Sequence, residues 1–189
     1  MSSPGEGDRS PFPLDEAERA ELLAIARRAV SAYLGGEGIR KEPPSSETLL
    51  APGAAFVTLT LEGSLRGCIG YTEAKSPLYR TVQECAIAAA TEDLRFPPVT
   101  RDEVGKVRFE ISVLSPLFPV SPGEIAVGTH GLAIRKGMHR GLLLPQVAAL
   151  HGWNRETFLS RLCAKAGLPG DAWREEVELY FFTAEVFGE

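Results

Sequence analysis

The chain has little sulfur and little histidine: three cysteines, two methionines and three histidines in 189 residues. Cys68, Cys85 and Cys163 are odd in number, widely spaced and form no CxxC pair. A disulfide framework is therefore not expected, nor is a structural zinc site. His130, His139 and His151 lack ligand spacing of the HExxH kind, and no metal or other cofactor is expected. Long hydrophobic runs are missing as well. "CAIAAA" and "GLLLP" are far too short to cross a bilayer. There is no cationic excess: a net charge of −5 gives no general attraction to nucleic acid or to an anionic membrane. No GxGxxG or Walker pattern follows any expected strand, so those nucleotide-binding devices are not expected either. "MSSPGEGDRSPFP" has neither the basic start nor the apolar stretch of a secretory signal. Residues 1–13 read as a disordered tail ahead of one domain over 14–189, placed in the cytoplasm.

What is present is an ordinary core and an alternation of elements. The chain is 44% hydrophobic and 24% charged, enough for one sizeable core or two small lobes. "LDEAERAELLAIARRAVSAYLGG" predicts a helix, with Asp15 and Glu18 as a capping box and Gly35-Gly36 as the stop. Its expected apolar face is Leu22, Leu23, Ala26, Val30, Tyr33 and Leu34. "KEPPSSETLLAPGA" reads as a loop. "AFVTLTLEGSLRGCIGYTEA" alternates about Glu62-Gly63, as a hairpin does. A helix follows with Ser76 as N-cap and Pro77 in its first position. "LRFPPV" is expected to be extended, and Thr100 with Glu103 to cap a short helix. "VRFEISVLS" is a strand, "THGLAIRKGMHRGLLLP" a second hairpin, and "PQVAALHG" and "NRETFLSRLCAKAGL" helices. "VELYFFTAEVF" closes the chain as one strand. Strands that arrive as hairpins with helices between them imply α+β with a mostly antiparallel sheet, not a doubly wound parallel one.

"SLRGCIGY" carries the chemistry worth weighing. With strict alternation Leu65, Gly67 and Ile69 share one face, while Ser64, Arg66, Cys68 and Gly70 share the other. Same-face neighbours lie roughly 7 Å apart. A guanidinium at that range favours a thiolate, the nucleophilic form of cysteine. Gly67 and Gly70 leave room for another backbone or a ligand. The plainer reading has Cys68 as a small buried residue and the glycines as a bulge or bend. Nothing in the motif itself supplies a base.

"LRGCIG" resembles the signature of the AMMECR domain family, including proteins called AmmeMemoRadiSam system protein A. The likeness continues in order through "AAATEDLRFPPVTRDEV", "FEISVLS", "HGLAIRKG", "GLLLPQVAALHGW" and "FLSRLCAKAGL". It covers Phe56 to the C-terminus, and the first helix fits as well. The resemblance implies an α+β fold of two unequal lobes with "LRGCIG" near a cleft between them. It also implies possible Memo-like and radical SAM partners, while assigning no reaction.

Positions matching the family pattern supply the candidate site. Cys68 is a nucleophile or transient acceptor, and His130 its candidate base. Arg66, Gly67, Gly70, Asp93, Arg95 and Glu110 are candidates for binding a substrate or partner. Each has a plainer reading. Asp93 and Arg95 pair to fix a turn, His130 before glycine is a turn residue, and Glu110 with Ser112 lies on a solvated face unless Glu110 anchors Arg66. Cys85 and Cys163 read as core. Three functions stay open: an enzyme component using Cys68, a non-catalytic adaptor for one of those partners, and a thiol redox sensor.

Overall fold

A computed structural model describes residues 14–39 and 43–189. The tail expected over 1–13, and residues 40–42, lie outside that range. The described chain forms two compact units, one of residues 14–114 with 185–189 and one of residues 115–184.

The larger unit opens with α1 (Glu16–Gly35), capped as its sequence requires. The Glu18 amide donates to Asp15 at 2.7 Å, the Asp15 amide donates back to Glu18 at 3.0 Å, and Gly36 ends the helix at φ 73°. Its buried stripe is Leu22, Ile25, Ala26, Ala29 and Val30, turned toward Ile25 from the expected face. Tyr33, in the last turn, remains 49% exposed. The expected loop contains a one-turn helix, α2 (Glu47–Leu50), because the Ser46 hydroxyl accepts the Leu49 amide.

Strands β1 (Ala54–Leu61) and β2 (Ser64–Tyr71) form the expected hairpin. Glu62 and Gly63 both have positive φ, 52° and 79°, as a type I′ turn demands. Helix α3 (Leu78–Thr91) begins one residue later than Ser76 capping would give. Ser76 and Pro77 are instead tied to the segment before β1: the Ser76 carbonyl accepts from Gly53, and the Leu78 amide donates to Ala51. "LRFPPV" makes a turn at Asp93–Phe96 before it extends, closed by the Phe96 amide on the Asp93 carbonyl. Helix α4 (Arg101–Val104) carries the Thr100–Glu103 capping box. With β3 (Arg108–Leu114) and the C-terminal β8 (Ala184–Gly188) the sheet runs β2-β1-β3-β8. One face packs on α1 and α3 through Val57, Leu59, Phe109, Ile111 and Val82, all sealed from solvent. Burying a phenylalanine such as Phe109 contributes about 2–3 kcal/mol.

In the smaller unit the sheet is β4-β7-β5-β6. Its strands are β4 (Phe118–Pro119), β5 (Gly131–Lys136), β6 (His139–Leu143) and β7 (Glu178–Phe182). Helices α5 (Pro145–Leu150) and α6 (Arg155–Lys165, capped by Asn154) join β5, β6 and β7 in a second core containing Ile134, Phe158, Leu162 and Cys163. The expected single closing strand is two. Ser115 holds both the amide and the carbonyl of Thr183, so β7 ends there and β8 enters the other sheet.

Candidate functional site

The hairpin register fixes what the LRGCIG segment can do. Pairing runs regularly from Leu61↔Ser64 to Thr60↔Leu65, then resumes at Leu59↔Gly67, leaving Arg66 as the extra residue of a bulge. The bulge corrects the expected faces. Gly67 and Ile69 face the core, opposite Leu59 and Val57, but Leu65 lies across from Thr60 on the outer face, as Cys68 lies across from Thr58. Leu65 is thus separated from Gly67 and Ile69, and Ser64 from Cys68 and Gly70.

Arg66 directs its hydrogen bonds to the segment after α3. Its Nε and an Nη each donate to Glu103 at 3.1 Å, and its other bonds go to the carbonyls of Pro97 at 2.7 Å and Pro98 at 3.2 Å. Only 11% of its side chain is exposed. The alternative anchor, Glu110, is not its partner: β1 lies between β2 and β3, and the register sets Glu110 opposite Thr58 on an exposed position. Ser112, expected to be solvated with Glu110, is buried. The Arg66 guanidinium holds the Glu103 carboxyl down at about 2, well below the usual carboxylate range, with the Thr100 amide assisting.

Asp93 holds the same strand from its edge. One carboxylate oxygen accepts the Cys68 amide at 2.9 Å and an Arg95 Nη at 2.7 Å; the other accepts the Arg95 amide and Nε. The Arg95 bonds push its pKa far below the ordinary value, against the desolvation of a buried acid. The turn-fixing reading of Asp93 and Arg95 therefore describes their geometry. Leu94 between them is 100% exposed.

Both glycines are approached from within the fold. A Cβ on Gly67 would sit 2.0 Å from the Ala89 carbonyl oxygen of α3, and one on Gly70 would sit 2.2 Å from the Phe56 ring. A side chain at either position is excluded by this chain's own atoms.

Cys68 is half-buried, and the Thr58 hydroxyl donates to its Sγ at 3.3 Å. Cys85 and Cys163 are sealed in the two cores, as expected; burial pushes the Cys85 thiol up to about 12 and raises that of Cys163. His130 belongs to the smaller unit. Its Nδ1 accepts the Ala126 amide at 3.2 Å and its ring stacks on Phe181 at 4.4 Å, which is turn geometry. Among the described residues no group of three or more His, Cys, Asp or Glu could hold a metal ion. No described helix is long and apolar enough to cross a membrane.

Two participants escaped the sequence reading. Glu103 was legible only as a cap, and Thr58 meets Cys68 only because the bulge shifts the register by one residue.

The AMMECR1 family model matches residues 23–187. A protein of Methanothermobacter thermautotrophicus is 42% identical, the match covering 94% of this chain and 97% of that one. Protein MK0488 of Methanopyrus kandleri is 44% identical over 89% and 86%. The crystal structure of the uncharacterized protein PH0010 from Pyrococcus horikoshii matches with a TM-score of 0.85 and 41% identity, covering 94% of each chain.

Proposed function

This chain belongs to the AMMECR1 family, and on that premise we propose that it is a non-catalytic binding module. In this reading LRGCIG is a clamp, and the loop at residues 93–98 is what it presents to a protein partner. One observation carries it: the distinctive polar groups of the motif are committed inward, Arg66 to Pro97, Pro98 and Glu103, and the Cys68 amide to Asp93. Those bonds converge on a loop whose tip, Leu94, is wholly exposed. A preordered loop binds with less ordering cost, which is where an isolated apolar anchor gains affinity. Memo-like and radical SAM proteins, as in the AmmeMemoRadiSam system, are the partners to assay first. Leu94→Asp should abolish capture of the partner in a pull-down, and Cys68→Ala should leave it intact. Capture that survives Leu94→Asp refutes the module.

A second reading keeps an enzyme component built on Cys68. What favours it is that Cys68 alone of the three thiols has solvent access and carries a hydroxyl, from Thr58, at bonding distance. Loss of product in a reconstituted three-component reaction with both Cys68→Ser and Cys68→Ala, with partner capture retained, would select this reading instead.

A further inference from the structure

The 93–98 loop covers only part of the β2 edge. Because the Cys68 amide points away from β1 to Asp93, antiparallel alternation turns the amide and carbonyl of Gly70 outward in the same direction. Among the described residues no loop backbone bonds to either of them. A groove of about 530 Å³ opens instead, lined by Gly70 and Tyr71 of β2, Glu73 and Lys75 of the following loop, and Glu84 of α3.

We propose that this groove takes an extended peptide segment with a lysine or arginine side chain, contributed by the protein partner. The proposal rests on the binding-module reading and names the chemistry of its ligand. Four features select it. An outward amide and carbonyl on an edge strand are a template for main-chain pairing with another extended segment. Lys75 is ion-paired with Glu73 at 2.6 Å, which neutralises the groove's one cation. Glu84 is exposed and makes no hydrogen bond or salt bridge among the described residues; the nearest cation on its helix, Arg80 one turn earlier, feels its charge but donates its Nε to the Tyr79 hydroxyl. Beside Glu84, Tyr71, 44% exposed, offers an aromatic face to a cation. Burial raises the Tyr71 phenol above its ordinary value, and the nearby Glu84 and Glu92 carboxylates add to that shift. Phosphate ligands are disfavoured by the same carboxylates.

The test is a backbone amide NMR titration of the full chain with two acetylated, amidated pentapeptides, Gly-Val-Lys-Val-Gly and Gly-Val-Glu-Val-Gly. The lysine peptide should move the Gly70 and Thr72 amides along a saturating curve, the glutamate peptide should not, and Glu84→Lys should weaken the lysine peptide by roughly tenfold or more. No movement at Gly70, equal response to both peptides, or indifference to Glu84→Lys each overturns the proposal. The two readings fail separately. If the titration fails while Leu94→Asp still abolishes partner capture, the groove falls and the module stands. If capture survives Leu94→Asp, the module falls whatever the titration gives.

Discussion

The two hairpins, β1–β2 and β5–β6, have the same plan and different uses. Each has a two-residue turn, an arginine near that turn and a glycine pressed against a helix. In β5–β6 the register runs without a break from Leu132↔Leu143 to Lys136↔His139. Its turn has positive φ only at Gly137, 59°, as type II′ requires, and Lys136 forms an exposed pair with Glu175. In β1–β2 a bulge at Arg66 breaks the register, the arginine is nearly buried, and the edge is held by Asp93. In the regular hairpin Arg135 stays within its own sheet, its guanidinium 5.6 Å from the centroid of the Tyr180 ring. The bulge turns Arg66 into a tether between a strand and a loop.

The largest effect expected is steric. Gly67→Val should destabilise the fold by more than about 3 kcal/mol in urea unfolding, because the obstruction is the Ala89 carbonyl of a packed helix. Its counterpart Gly141→Ala, whose Cβ would stand 2.9 Å from Ala166, should cost about 1–2 kcal/mol. Equal costs would remove the distinction between the hairpins.

Next in size is the cation. Arg66→Met should lose about 2–3 kcal/mol, since it strands two carbonyls and a partly buried carboxylate; the 25% exposure of Glu103 keeps the loss below that of a sealed ion pair. Lys136→Met should change stability by no more than about 0.5 kcal/mol, the value of a surface pair.

The same tether predicts acid sensitivity. Glu103 and Asp93 are both depressed in the folded chain, so their stabilisation is complete above the unfolded pKa and is lost as pH falls through the folded value. For Glu103 the loss spans about pH 4.5 to about 2. Glu103→Gln should start less stable at pH 7 and show a shallower decline across that window when unfolding is followed against pH.

The smallest effect is a gain. Glu62 is a non-glycine residue in the left-handed region. Glu62→Asn should raise stability by about 0.5 kcal/mol, whereas no comparable gain exists at Gly137.

Local signals made most of the fold legible. Asp15 and Glu18, Thr100 and Glu103, Asn154, and the Glu62-Gly63 dipeptide each act within a few residues, and each occurs as read. The site was less legible because it depends on register. Counting outward from the Glu62-Gly63 turn sets Cys68 opposite Val57; the bulge, which the glycines suggest but do not position, falls at Arg66 and sets it opposite Thr58. Likewise Glu103 comes to Arg66 across 37 positions of sequence, so a residue read as a cap is also the counter-ion. The end of β7 at Thr183 was hidden for a similar reason: the Ser115 bonds that stop it come from a distant segment.

If Arg66 holds the 93–98 loop, amide hydrogen exchange reads it directly. Four amides report on it: Cys68 and Arg95, which donate to the Asp93 carboxylate, Phe96, which donates to the Asp93 carbonyl, and Val99, which donates to Ala90. In Arg66→Met these four should exchange faster by roughly tenfold or more, equivalent to about 1.4 kcal/mol of lost protection, relative to the β5–β6 amides of the same sample. Unchanged protection at all four, in a variant that still folds, would contradict the claim that this motif is a clamp.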